Sequence, residues 1–166
     1  MKYKFGNLIT MGINSDFDVI VHGCNIYNVM GAGIAAEVNK RLNEAYQSDL
    51  QTVKGDRKKL GTYTFAVING LTVVNAYTQA TFWDTDDMLD YDAVDKVMEK
   101  IANDFPNKNI GMPLIGAGLA GGKWERLVKI IEKHLPNATI VVFNQSDWNK
   151  HVESVFNNTK DVLLSQ

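Results

Sequence analysis

The chain has 166 residues, 45% hydrophobic and 22% charged, the proportions of one globular domain able to bury its own core. Its 17 basic against 19 acidic side chains leave a formal charge of -2, so no general positive field is available to gather nucleic acid. No apolar run reaches the roughly 18 residues of a membrane span, MKYKFGN has no signal-like apolar segment and the single cysteine excludes an internal disulfide, so the expectation is a single cytoplasmic domain over residues 1–166, monomeric, without membrane, nucleic-acid, cofactor or metal partners.

In chain order, KYKF (2–5) is a weak strand candidate and DVIVHG (18–23) a strong one. Helical spacing follows over Gly31–Tyr46, with Ile34, Val38, Leu42 and Ala45 on one face. The polar stretch Gln47–Leu60 reads as an exposed excursion, and its basic run KGDRKK as solvated surface. TYTFAVI (62–68) and TVVNAY (72–77) are strands joined through Asn69-Gly70, a pair that favours a tight hairpin turn, so these two run antiparallel. A helix spans Leu89–Phe105 on Val94, Val97, Met98 and Ile101, and the acidic run WDTDDMLDYD before it complements the helix dipole. NIGMPLI (109–115), a helix over Trp124–Leu135 and TIVVFN (139–144) complete the alternation; a short helix after Asp147 runs through His151 to Phe156, and DVLL (161–164) is a weak last strand. Strands alternating with helices in this way point to a three-layer α/β/α sandwich with a mixed, largely parallel central sheet.

Two glycine-rich stretches stand where a strand hands over to a helix: HGCNIYNVMGAGIA (22–35) and MPLIGAGLAGGKWERL (112–127). A helix N-terminus carries unpaired amide groups and about half a positive charge, and glycines before it let an anion approach the main chain. Neither stretch has the full dinucleotide fingerprint or a P-loop. Set together at the carboxyl edge of one sheet, they form a seat for a diphosphate.

His22 precedes the first of these loops and is a candidate proton carrier, because imidazole exchanges protons near neutral pH. Cys24 lies two residues on, roughly 7 Å away along an extended strand, and reads as a core residue. Asn75, Thr78 and Gln79 end a central strand and are equally suited to structural or ligand roles; Trp124 reads as a packing residue, and His134 and His151 have no partner at ligand spacing.

GNLIT, DVIVHGCNIYNVMGAGIA, MPLIGAGLAGGKW and IVVFN resemble, in order, the motifs of macro domains, which bind ADP-ribose; the resemblance runs from Gly6 to about Asn144. It is most similar to the branch of the yeast-type ADP-ribose 1''-phosphate phosphatase, whose first loop also reads His-x-Cys-Asn. The resemblance implies that Asn7 and Leu8 lie against adenine, with Asn7 where the family places an acid. It further implies that Gly31, Ala32, Gly33 and Ile34 form the first phosphate loop and Ile115, Gly116, Ala117, Gly118, Leu119 and Ala120 the second. Phe143 and Asn144 match the position of the ring that stacks on adenine, and Asn25 the asparagine at the distal ribose. The lysine and aspartate of the de-ADP-ribosylating branch are replaced by Gln79 and Ala120. The expected activity is therefore removal of the terminal phosphate of ADP-ribose 1''-phosphate, with His22 and Asn25 as catalytic residues and His22 activating water or protonating the leaving oxygen. The alternatives are a non-catalytic ADP-ribose-binding module, a hydrolase removing ADP-ribose from modified proteins, or another nucleotide-binding scaffold.

Overall fold

A computed structural model describes residues 1–84, 86 and 88–156; residues 85 and 87 of the acidic run and the weak strand candidate at 161–164 lie outside the described residues. Six strands, β1 (Lys2–Phe5), β2 (Val19–Asn25), β3 (Tyr63–Ile68), β4 (Leu71–Gln79), β5 (Ile110–Met112) and β6 (Thr139–Val142), form one sheet in the order β1-β6-β5-β2-β4-β3. All neighbours are parallel except β3 and β4, whose hairpin turns at Asn69 (φ 50°) and Gly70 (φ 84°). Positive φ at both central residues is the turn whose twist matches the strands it joins, which is why the Asn-Gly pair announced it.

The inner strands are apolar on both faces because both are covered, whereas the edge strand β3 leaves Phe65 and Val67 exposed. One face carries Val19, Val21, Val74 and Ala76 against α4 (Tyr91–Asp104) and α5 (Trp124–His134). The other carries Ile20, Val73 and Tyr77 against α1 (Leu8–Ile13), α2 (Gly33–Arg41) and α3 (Asn43–Leu50). Successive residues of β2 thus point to opposite layers, as a strand's period of two requires. Asp90 caps α4 by accepting from the Ala93 amide at 3.0 Å, the capping role expected of the acidic run. Trp124 is buried and donates its indole N–H to the Tyr3 hydroxyl at 3.2 Å.

Three expectations need correction. The helix read over Gly31–Tyr46 is two helices, bent at the buried Leu42 (φ -135°, ψ 55°), and the bend lets α3 lie over β3. The supposedly exposed excursion at 47–60 holds a buried carboxylate, Asp49, and a buried ammonium, Lys59. Asp49 accepts from the Tyr77 hydroxyl at 2.7 Å, a partner about thirty residues away that no local pattern could reveal. His134 is not isolated, since its Nε2 lies 2.7 Å from Asp95 Oδ1 between α5 and α4. After β6 the chain forms α6 (Gln145–Asp147), a π-helical turn (Trp148–Val152) and α7 (Glu153–Phe156).

Gly111 in β5 tests the packing between sheet and α1 layer. A Cβ there would sit 2.7 Å from two carbons of the buried Phe17 ring, well inside contact distance. Gly111→Ala is expected to cost about 1–3 kcal/mol of stability through overpacking, read as a lower urea midpoint at an unchanged slope.

Candidate functional site

Because β2, β4, β5, β6 and β1 are parallel, their carboxyl ends share one edge of the sheet, and the chain leaves β2 and β5 there through the two glycine-rich stretches. Both border one cleft of ≈ 840 Å³, within the range of sites that enclose a small molecule. The loops lie side by side: a Cβ added to Gly33 would come within 3.3 Å of Leu119 Cδ1. The sequence separation of the two stretches is closed by topology alone.

The first stretch enters α2 through Ala32, which has no side chain to cap the helix. The amides of the first turn therefore border the cleft with no acceptor among the described residues, reinforced by the positive end of the dipole. Gly33 has φ +56°, a conformation that an L side chain rarely adopts. In the second stretch Gly116 (φ +79°) and Gly121 (φ +74°) turn the chain back so that the Gly122 amide donates to Gly116 O at 2.8 Å. The amides of Gly118, Leu119 and Ala120 have no acceptor among the described residues. Two sets of free N–H groups consequently border the same space.

Of the residues singled out in the sequence, Asn7, Leu8, Asn25, Gly31, Ala32, Gly33, Ile34, Ile115, Gly116, Gly118, Leu119, Ala120 and Phe143 line the cleft, and Gln79 joins them. Ala117 does not: it is buried in the core beneath the second loop. Neither does Asn144, whose Oδ1 accepts from the Asp147 amide at 2.8 Å and caps α6. Asn75 and Thr78 are fully buried within the sheet.

His22 stands apart from these residues. It is 1% exposed, lies behind the cleft floor and does not line it. Asn75 gives its amide hydrogens to Ala45 O at 2.8 Å and Thr64 Oγ1 at 3.0 Å, so its oxygen faces the imidazole. His22 must then donate from Nε2 across 2.7 Å, which fixes the tautomer. Burial pushes its pKa down to about 4, only partly offset by that hydrogen bond, so the ring is neutral near pH 7. In this arrangement the ring has no opening onto the ligand space, and its hydrogen bond to Asn75 links β2 to β4.

Cys24 reaches the cleft floor, and its Sγ is 3.8 and 3.7 Å from the two ring nitrogens of His22, closer than residue spacing along a strand implied. Near-equal distances mean that the sulfur lies in line with neither nitrogen lone pair. Burial raises the thiol pKa well above its ordinary value, with the Asp49 charge adding to it. The group is a thiol, not a thiolate, as its reading as a core residue requires.

Asn25 is aimed by a shift in register between β2 and β4, where Cys24 pairs with Tyr77 but Asn25 with Gln79. Its Oδ1 accepts from the Tyr27 amide and its Nδ2 donates to Val29 O, both at 2.9 Å, leaving one N–H and one lone pair for a ligand.

At the other end Asn7 is already committed. Its Oδ1 caps α1 by accepting from the Thr10 amide at 2.9 Å, and its Nδ2 donates to Glu37 Oε1 at 3.0 Å. Glu37 also takes Arg41 at 2.8 Å and lines the cleft, bringing in a carboxylate that sequence reasoning missed because it comes from α2, thirty positions away. Phe82, Lys150 and His151 were also missed as lining residues, and burial, then Lys150, moves the His151 pKa down. Helical spacing after β6 could have flagged Lys150 and His151; nothing local marked Glu37.

Residues 21–131 match the family model described as "Macro domain". The "uncharacterized 17.5 kDa protein in tk-vs intergenic region" of Enterobacteria phage T4 is 29% identical over 157 residues, 89% of this chain and 96% of that protein. A solved structure from Bacteroides thetaiotaomicron, described as a protein of unknown function, is 30% identical, with TM-score 0.69, over 86% of this chain and 98% of its own. Thermosipho africanus DarTG in complex with ADP-ribose shares the fold at 15% identity, with TM-score 0.68, over 85% of this chain and 41% of its own.

Proposed function

The chain belongs to the macro domain family, and on that premise we propose that it binds ADP-ribose in the cleft at the carboxyl edge of its sheet. The observation that carries this reading is the convergence of two amide-rich loops, with Gly33 against Leu119, around a space the size of a nucleotide. The α2 N-terminus and the amides of Gly118, Leu119 and Ala120 would divide the pyrophosphate between them. Adenine would lie towards Asn7, Leu8 and the exposed ring of Phe143, and the distal ribose over Asn25. A solved neighbour described as holding ADP-ribose supports the same use of this fold.

Release of the terminal phosphate from ADP-ribose 1''-phosphate is a second reading, favoured by the spare hydrogen-bonding capacity of Asn25 at the cleft floor. It proceeds without His22. Asn25 and the loop amides would orient the phosphate and stabilise its developing charge, with water as nucleophile and no side-chain base assigned. Removal of ADP-ribose from a modified protein is the weaker alternative, because Gln79 and Ala120 stand in the cleft where the resemblance places a charged pair.

Calorimetry with ADP-ribose should give saturable 1:1 binding; no heat and no chemical-shift changes in the loop amides would remove the proposal. Metal-free incubation with ADP-ribose 1''-phosphate, followed for inorganic phosphate, separates the two readings. Release that survives in His22→Gln identifies turnover without the histidine, and tight binding without release identifies a binding module.

A further inference from the structure

We infer that Lys59 is a positioning residue that holds the first phosphate loop in its ligand-ready shape from beneath, an inference that rests on the ADP-ribose reading for its functional meaning. Lys59 belongs to the basic run read from sequence as solvated surface, yet it is 8% exposed. Its Nζ donates to Ile26 O at 2.9 Å, Asn28 Oδ1 at 2.6 Å and Val53 O at 3.2 Å. An ammonium has three hydrogens, and each meets one acceptor. Burying a charge is costly unless it is paired and fully hydrogen-bonded; the buried Asp49 carboxylate supplies the opposing field.

Two of these acceptors belong to the segment that leads from β2 into the glycine loop. Asn28 holds a left-handed backbone (φ 59°), and its side chain is further tied to Thr52 through Nδ2 to Thr52 O at 3.0 Å. Asn25 grips the intervening residues, Tyr27 through its amide and Val29 through its carbonyl. Successive residues 25–29 are thus held alternately from the cleft side and from below. The loop that must present Gly31 to Ile34 starts from a clamped base. A neutral side chain of similar length would fill the space but remove the one donor common to all three acceptors, leaving Ile26 O only the Gly55 amide, Asn28 Oδ1 only the Thr52 hydroxyl and Val53 O only the Asp56 amide. Arginine's planar fork does not match three acceptors around one nitrogen.

The test uses Lys59→Met in the full chain. The amides of Ile26, Tyr27 and Gly55 are hydrogen-bonded within the loop base and report on it directly. Their hydrogen exchange is expected to accelerate about tenfold or more, with amides of β6 and α5 unchanged, and ADP-ribose affinity should fall about tenfold. Lys59→Cys in a Cys24→Ala background, alkylated with bromoethylamine while unfolded and then refolded, places an ammonium at nearly the same reach. It should restore both to the values of Cys24→Ala alone, since Cys24 is the one other thiol of the chain. Unchanged exchange at the three amides, or equal acceleration across the whole sheet, would overturn the inference in favour of no role or a merely structural one. If the wild-type chain binds no ADP-ribose, the proposed function fails, while the exchange result still decides whether the clamp exists. Should Lys59→Met not fold, Asn28→Ala removes one acceptor and must show the same local acceleration to sustain the inference.

Discussion

Gly33→Val is expected to weaken ADP-ribose binding by about 100-fold or more, equivalent to roughly 3 kcal/mol. Gly33 opens α2 with φ +56°, where a β-branched side chain is strained whatever space surrounds it. Its Cβ would also press on Leu119 Cδ1 at 3.3 Å, a contact that the exposed Leu119 side chain relieves by a small shift, so the strain falls on the backbone and turns the α2 N-terminus away. That movement breaks the convergence of amide donors on one pyrophosphate. Calorimetry measures the loss. Gly70→Ala is the matched control, since Gly70 has φ +84°, no atom within 4 Å of an added Cβ, and a place at the far end of the β3–β4 hairpin. It should cost stability of about 1 kcal/mol and leave binding intact. Equal affinities for wild type and Gly33→Val would show that the ligand does not use the α2 N-terminus.

Acid is expected to destabilise the fold through His22, by about 3 kcal/mol between pH 6.5 and 4. The folded pKa is held down to about 4 by burial, whereas an unfolded histidine titrates near 6.5. Below pH 6.5 the unfolded chain therefore takes up a proton that the folded chain refuses, and unfolding becomes easier as pH falls until the folded pKa is passed. Above pH 6.5 the contribution is constant. Asp49 works in the opposite direction, because burial raises its pKa and its protonation stabilises the fold as pH falls. The difference between wild type and His22→Gln removes such shared contributions, and its change from pH 7.5 to 4, by urea unfolding at each pH, isolates the histidine. A difference that does not vary with pH would mean that water reaches the ring, and would reopen its candidacy as a proton carrier.

The two predictions divide the molecule into parts of different legibility. Apolar runs at β2, β4 and β6 and helical periodicity at α4 and α5 are local patterns, and they marked those elements in the chain. The Asn69-Gly70 pair reports its own turn because the preference for positive φ resides in those two residues. The glycine loops were legible for the same reason: bare backbone before a helix is a property of neighbours in sequence. The bend at Leu42 was not, since Val38, Leu42 and Ala45 remain apolar on either side of it and all become buried.

Residue type and short-range spacing by themselves determined the layered α/β architecture, the antiparallel hairpin and the pair of loops suited to an anion. Only the tertiary structure decided which groups those loops would share. It turned His22 inward to Asn75, brought Glu37 to Asn7 across thirty positions, and buried Lys59 under the first loop. The physical reason is that burial, hydrogen-bond partnership and electric field are set by chain segments far apart in sequence. Such partners carry no spacing rule, and a histidine, a glutamate or a lysine takes its chemical role from them.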